Sequence, residues 1–296
     1  MEKGKVVCYN EQYMKKTPLV SVLVHTKNSE RTVRKHLKSI KEQNYKDIEI
    51  IMVDNNSTDN TIPIARSIAD NRVFLTSNIY NFGPERSAQR NFAAKKAHGD
   101  YFLVPDSDMI LGKKIVAECV DLVLGDSKIK AVVIPEENIS QGFWSKCKAL
   151  ERECYAGDDT IEAARFFERR AFWEMGGYDE SITGPEDWDL PQMIKSKYKL
   201  GRIKCAIIHD EREVSLLLLA RKKHYYGLKV SKYIRKHPIR STAQQLVYLL
   251  RPAFYRHWRL LTKHPILSMG MIAMLTVEQI AGFVGFIQGV IKHEAD

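Results

Sequence analysis

A chain of 296 residues with 44% hydrophobic content is long enough for a sizeable core, which excludes wholesale disorder. Its formal net charge of +10 points to an anionic partner, whether nucleic acid, a membrane surface or a phosphorylated substrate. Five cysteines, at 8, 119, 147, 154 and 205, lack metal-type spacing and argue against a disulfide framework or zinc cluster, in keeping with a reducing compartment.

Met1 to Lys16 is polar and has no apolar stretch of the kind a signal peptide needs, so the catalytic part is expected in the cytoplasm. Leu19 to Val24 is a β-branched run and reads as a first strand, followed by a polar loop at 25–30. Arg31 to Gln43 carries Val33, Leu37 and Ile40 at helical spacing. Ile48 to Val53 is a second strand, and Thr61 to Asp70 a helix with Asp59 as its candidate N-cap. A third strand is expected at Arg72 to Thr76, a helix at Arg86 to His98 and a strand at Tyr101 to Val104. Ile115 to Leu124 reads as helix and Lys130 to Ile134 as strand, with 136–161 less regular. Ala164 to Glu168 is a strand, Gly184 to Leu190 opens a helix, and Ile203 to Ile208 is a last strand closed by His209.

Strands alternating with helices at this spacing predict an α/β fold with a mostly parallel sheet covered on both faces. In such sheets ligands gather beyond the carboxyl ends of the strands. The polar loops at 25–30, 54–59 and 105–108 all fall on that edge. Asp106 and Asp108, one residue apart after an apolar strand, suit a hard divalent cation that keeps positions open for phosphate oxygens.

Five stretches then resemble glycosyltransferase family 2, whose nucleotide-sugar-binding fold is the Rossmann-like GT-A type. Val20-Ser21-Val22-Leu23-Val24-His25-Thr26-Lys27-Asn28 is similar to that family's opening strand and loop, although Lys27 stands where an aromatic is usual. The segment from Ile50 to Thr61, the segment Gly83 to Asn91, the triplet Asp106-Ser107-Asp108 and the pair Met175 to Glu180 and Gly184 to Leu190 follow in the family's order. The match covers roughly residues 18 to 212. It implies a hexosyltransferase that moves a sugar from a nucleoside diphosphate donor, probed first as a UDP-sugar with a GDP-sugar as the alternative. The divalent cation, Mn2+ or Mg2+, is expected on Asp108, with Asp106 on ribose or metal-bound water and His209 completing the set. Asp54 is expected at the base and Thr26 and Asn28 at the nucleotide. One of Arg86 and Arg90 is expected to reach a phosphate and the other to lie on the surface. The resemblance places the acceptor's base at Asp187 in an inverting displacement, with Glu186 and Trp188 on the acceptor side. Pro191, so early in that helix, is unusual for the motif.

After a catalytic domain at 1–214, residues 215–296 form a basic and apolar helical region. Arg221 to Lys263 interleaves basic and aromatic residues, and Ile266 to Ile291 is largely apolar. Such a sequence marks a membrane surface more often than nucleic acid. About 26 helical residues reach roughly 39 Å, enough to cross a bilayer core of about 30 Å. Glu278 near the centre costs roughly 2.5–3.5 kcal/mol there, which favours an interfacial or re-entrant anchor over a span. The small and polar stripe of Gly282, Gly285 and Gly289 equally suits packing on another helix, including one of the catalytic domain. The expectation is therefore an enzyme at the cytoplasmic face of the membrane, in cell-envelope or glycolipid synthesis, with a polyprenyl phosphate or lipid-linked saccharide as acceptor. The other readings are a soluble family member acting on a polysaccharide, protein or small molecule, and a non-catalytic basic binding protein.

Overall fold

The computed structural model describes residues 17–295 apart from 71, 72, 84, 159, 160, 212, 213 and 238. The expectation for Met1 to Lys16 lies outside the described residues. Strands β1 (Val20–Thr26) and β2 (Ile48–Asp54) are buried along nearly their whole length. Their alternating side chains feed two cores: Val22, Val24, Ile50 and Met52 face one way, Leu23, Ile51 and Val53 the other. A strand with both faces buried reads as a continuous apolar run, which is what these sequences are.

Helices α1 (Val33–Lys41) and α2 (Thr61–Ile68) flank β2 in sequence, followed by β3 (Ile79–Asn81), α3 (Arg86–Lys96) and β4 (Tyr101–Leu103). Next come β5 (Met109–Leu111), α4 (Ile115–Gly125), β6 (Ile129–Val133), β7 (Glu136–Ser140) and α5 (Phe143–Cys154). The α/β part of the chain continues through β8 (Ala164–Glu168), α6 (Arg169–Glu174), α7 (Glu186–Lys195), β9 (Lys199–Arg202) and β10 (Ile207–Glu211). The main sheet has seven strands in the order β3-β2-β1-β4-β8-β6-β9. Within it β8 alone runs antiparallel to both neighbours, and the other pairings are parallel. A second, three-stranded sheet has the order β5-β10-β7.

Several expectations move. The third strand is β3, not 72–76: Val73 keeps one backbone bond, from the Ile50 N–H at 2.8 Å, and Phe74 is wholly buried. Those residues close the core, and the chain forms its ladder with β2 only after a turn at 76–78. The cap of α2 is Asn60, while Asp59 accepts the Thr61 N–H at 3.0 Å from one position further out. The stretch 136–161 is more regular than expected, holding β7 and α5, whose Cys147, Leu150 and Cys154 are buried on one helical face. The last strand starts four residues late because the Glu118 carboxylate takes the N–H groups of Lys204 and Cys205 and turns the chain there. Pro191 sits inside α7, where it has no N–H to give the Asp187 carbonyl, yet the helix runs on to Lys195.

The remaining chain is helical: α8 (Leu216–Gly227), α9 (Ser231–Lys236), α10 (Ile239–Leu246), α11 (Pro252–Arg256), α12 (Trp258–Lys263) and α13 (Pro265–Ala295). Helices α8 and α13 lie backbone against backbone. A Cβ at Gly285 would stand 2.1 Å from the His224 carbonyl oxygen, and one at Gly289 2.3 Å from that of Leu228. Glu278 is buried, with Lys148 of α5 at 3.0 Å and Lys223 of α8 at 3.3 Å. The opposite face of α13 exposes Ile266, Met269, Ile272, Ile280, Phe283 and Ile291. One face of this helix thus packs on α8, as the glycine stripe allowed, and on α5. By length and composition 265–291 also meets the requirement for crossing a membrane.

Candidate active site

Beyond the carboxyl end of β4, Asp106 is gripped from three sides. His25 Nε2 is 3.1 Å away, Arg90 Nη2 2.9 Å and Arg165 Nη2 3.2 Å. Burial alone would raise this carboxyl; the Arg165 guanidinium, the His25 hydrogen bond and Arg90 hold it well below the usual carboxylate range. Asp108 differs. Its Oδ2 faces His209 Nε2 at 3.1 Å, and its Oδ1 is buried without a partner.

The small sheet explains that pairing. β10 runs antiparallel to β5 with His209 opposite Met109, which sets the imidazole beside Asp108. Glu136, first residue of β7, supports the other ring nitrogen at 3.3 Å and also binds Arg165. Burial opposes protonation of His209, but its bonds to Asp108 and Glu136 raise it to about 9.

Arg90 joins this cluster to the start of α7. It is wholly buried, with Nη1 2.7 Å from Asp187 Oδ1 and its guanidinium 4.9 Å from the centre of the Tyr178 ring. The neighbouring Asn91 fixes the turn that carries Tyr178, accepting its N–H at 2.9 Å and donating to its carbonyl at 2.8 Å. Gly177 in that turn has φ 73°, and a Cβ there would come within 2.7 Å of Asn91. Arg86 binds Glu186 at 2.7 Å and the Tyr226 hydroxyl at 3.0 Å. Burial, then the adjacent Asp187 charge, pushes the Glu186 carboxyl up. Trp188 donates its indole N–H to the Ile161 carbonyl at 2.8 Å, so its ring is fixed as a wall.

A cavity of roughly 630 Å3 lies among these groups, lined by Arg86, Asp106, Glu136, Asp187, Trp188 and His209. Neither arginine is a plain surface residue, as had been expected of one. Arg86 faces the cavity, and Arg90 is spent on carboxylates behind it.

Thr26, Asn28 and Asp54 gather at the ends of β1 and β2, outside that lining. Asp54 is 2% exposed and takes the Thr26 hydroxyl at 2.8 Å, the Ser57 hydroxyl at 2.6 Å and the Ser57 N–H at 2.7 Å. Asn28, at φ 49°, accepts the Thr58 N–H at 2.9 Å. These side chains stitch two loops together. Ser29 and Ser107, 3.0 Å apart, tie the same corner to the aspartate loop.

The sequence reading passed over His25, Glu136, Arg165 and Tyr226. Two of them carried a signal: Glu136 follows a strand at the ligand edge, and Arg165 is a charge inside the apolar run of β8.

As for a cation, Asp108 offers an unpartnered buried oxygen, and His209 would offer an imidazole nitrogen beside it once a bound cation had displaced its proton, a donor set open to Mn2+. Asp106 is already held by the His25 imidazole and two guanidinium groups. Among the described residues no group of three or more such side chains forms a closed cage. Two protein donors with open positions are what a phosphate-bridging cation uses.

The description "Glycosyl transferase family 2" matches residues 21–178, more than half of the chain. This chain therefore belongs to glycosyltransferase family 2, and its fold is of the GT-A type. It is 34% identical over 207 residues to a probable glycosyltransferase of Bacillus subtilis, covering 64% of this chain and 48% of that protein. It is 39% identical over 90 residues to the UDP-Glc:alpha-D-GlcNAc-diphosphoundecaprenol beta-1,3-glucosyltransferase of Escherichia coli, covering 30% of this chain and 35% of that one. The chain thus spans about a third to a half of the length of these curated relatives. Among solved structures, a mannosyltransferase of Pyrobaculum calidifontis in complex with GDP-Man and Mn2+ superposes with a TM-score of 0.63. It is 19% identical, over 93% of this chain and 88% of that one, so it speaks for the fold.

Proposed function

We propose that this chain transfers a hexose from a nucleoside diphosphate sugar to a lipid-borne acceptor with inversion, and that it requires a divalent cation. The observation that carries this is the single cavity onto which Asp106, His209 and Asp187 all open, with Arg90 holding Asp106 and Asp187 in one frame. Asp108 and His209 would hold Mn2+ or Mg2+, and the cation, when bound, neutralises the charge that develops on the leaving diphosphate. Arg86, a third exposed and facing the cavity, is placed to meet a phosphate oxygen. The corner built by Thr26, Asn28 and Asp54 receives the base and ribose, largely through backbone groups.

Asp187 is the acceptor's base. Its Oδ1 is fixed by Arg90, which leaves Oδ2 to take the proton of an attacking hydroxyl. If the acceptor is itself an ionised phosphate, the same carboxylate orients it and no base is required. Trp188 forms the sugar-side wall, and Glu186, buried behind it, holds Arg86 in place from the acceptor side. The UDP-sugar named for the Escherichia coli relative makes UDP the first donor to try, and GDP the second. That relative's diphosphoundecaprenol substrate, and the apolar outer face of α13, support a lipid acceptor and work at a membrane surface. The free thiols of Cys119, Cys147, Cys154 and Cys205 are consistent with the cytoplasmic side.

The test is hydrolysis and transfer with a panel of nucleotide sugars, with Mn2+ or Mg2+, in the presence and absence of membrane lipid extract. One donor should turn over, faster with lipid. Asp108→Ala should abolish it, and Asp187→Asn should lower transfer to a hydroxyl acceptor by about a hundred- to ten-thousandfold while nucleotide binding persists. Absence of both turnover and nucleotide binding with every donor overturns the reading.

A further inference from the structure

A second, apolar chamber of roughly 310 Å3 adjoins the catalytic cavity, walled by Val230, Ile234, Leu246, Val247, Leu275 and Phe286. That volume is at the lower end of the range of about 300–1,000 Å3 typical of ligand pockets. Close-packed interiors leave few voids larger than a water molecule, so it is not a packing defect. The two cavities share Gly184, Trp188, Lys223, Tyr226, Arg251 and Glu278, and so meet at one junction.

Charge at that junction does not balance. Lys148 binds Glu151 at 2.7 Å and Glu278 at 3.0 Å, Lys223 reaches Glu278 at 3.3 Å, and Arg251 reaches Glu151 at 3.3 Å. Three cations share two carboxylates, and both carboxylates are buried. Burial depresses the Lys223 ammonium, and Glu278 does not offset that against the nearby Lys148. Such a place favours an incoming anion.

The far wall leads outward. Phe283 lines the chamber and is 59% exposed, on the same outer face of α13 as Ile280 and Ile287. The chamber thus runs from a cationic junction beside the catalytic cavity to an apolar outer surface.

We propose that this chamber holds the hydrocarbon chain of the acceptor, with the phosphate or diphosphate at its head seated at Lys223. The proposal rests on the transferase reading and adds to it where the lipid lies. The chain enters past Phe283, its first carbons fill the space between Val230, Val247 and Leu275, and its anionic head stops at the junction. The saccharide or phosphate oxygen that reacts then points into the larger cavity. A free sugar would have no use for such walls.

The experiment is equilibrium binding of octyl phosphate, octanol and inorganic phosphate to the full chain, beside donor hydrolysis by the wild type. Octyl phosphate should bind about a hundredfold or more tighter than inorganic phosphate, since each methylene taken from water is worth about a factor of four. Val247→Trp, which fills the chamber, should erase that advantage, and Lys223→Met should bring octyl phosphate down to the level of octanol. Phe283→Asp, a surface change at the chamber's mouth, serves if Val247→Trp melts early, and should also weaken octyl phosphate. Equal binding of octyl and inorganic phosphate, or octyl phosphate indifferent to Phe283→Asp and Lys223→Met, overturns the proposal. Donor hydrolysis decides the transferase reading separately: turnover without chain binding fails this inference alone, and chain binding without any donor turnover fails the other.

Discussion

Arg90 exposes no surface, and each end of its guanidinium meets a different carboxylate, Asp106 at 2.9 Å and Asp187 at 2.7 Å. A planar fork can make both bonds at once; the single ammonium of lysine cannot. Arg90→Lys should therefore lower the melting temperature and cut turnover together, leaving one partly exposed carboxylate without its hydrogen bond at a cost of about 1–3 kcal/mol. Thermal denaturation and donor hydrolysis on the same preparation check this. A second residue-scale consequence concerns pH. His36 is fully buried, gives Nδ1 to the Met109 carbonyl at 2.6 Å, and is lowered by burial from 6.5 to about 4. The unfolded chain takes up that proton first, so the stability is present above about pH 6.5 and drains as pH falls toward 4. A shift of that size is worth about 3 kcal/mol. His25, lowered by burial and by Arg90, adds to the same slope. Melting temperatures between pH 7 and 4 should fall for the wild type and fall less for His36→Asn.

The α8–α13 pair shows what glycine does for a whole element. Three carbonyl oxygens, of His224, Leu228 and Gly282, occupy the places where side chains at Gly285, Gly289 and Gly227 would begin. Two helices this close exclude any Cβ, and the adaptation needed is backbone movement, not a rotamer change. Gly285→Val should prise the helices apart, at a cost of about 1–3 kcal/mol or more. Limited proteolysis should then cut near 263–265 at protease levels that leave the wild type intact. The same separation would open the Glu278 pairings with Lys148 and Lys223. Asp189 acts likewise: it is buried, holds Lys236 at 2.8 Å and His237 at 2.6 Å, and so fastens α9 to α7.

At the scale of the molecule, the outer face of α13 joins other exposed apolar and aromatic groups, Tyr255, Trp258 and Leu249 among them, with Arg256, Arg259 and Lys263 exposed nearby. An apolar face rimmed by basic residues suits the boundary of an anionic bilayer. The protein should co-sediment with phosphatidylglycerol-rich vesicles more than with phosphatidylcholine ones, and less as salt rises, since each basic residue near the surface contributes about 1 kcal/mol. Met269→Glu and Ile280→Glu, both on exposed positions, should reduce the bound fraction without lowering the melting temperature. Equal binding to both vesicle types would remove the electrostatic part of this picture.

Much of the architecture was legible in the sequence because it rests on local periodicity. The apolar runs of β1, β2 and β8, the helical spacing of Val33, Leu37 and Ile40, and the loops after each strand mark the sheet and its ligand edge without any knowledge of neighbours. The aspartates of the 105–108 loop and the ordered motifs were likewise local. Misplaced elements were those whose ends are decided from afar: Phe74 drawn into the core, and β10 delayed by Glu118 from another helix. The pairing of charges was invisible. Arg90 and Asp187 lie 97 positions apart, and Lys148 and Glu278 130, and no spacing rule connects side chains over such distances. The sequence alone therefore determined the family, most of the strands and helices, and the polar loops that gather at one edge of the sheet. Only the tertiary structure decided which carboxylate each cation neutralises and where the apolar chamber opens, because both depend on desolvation by elements remote in the chain.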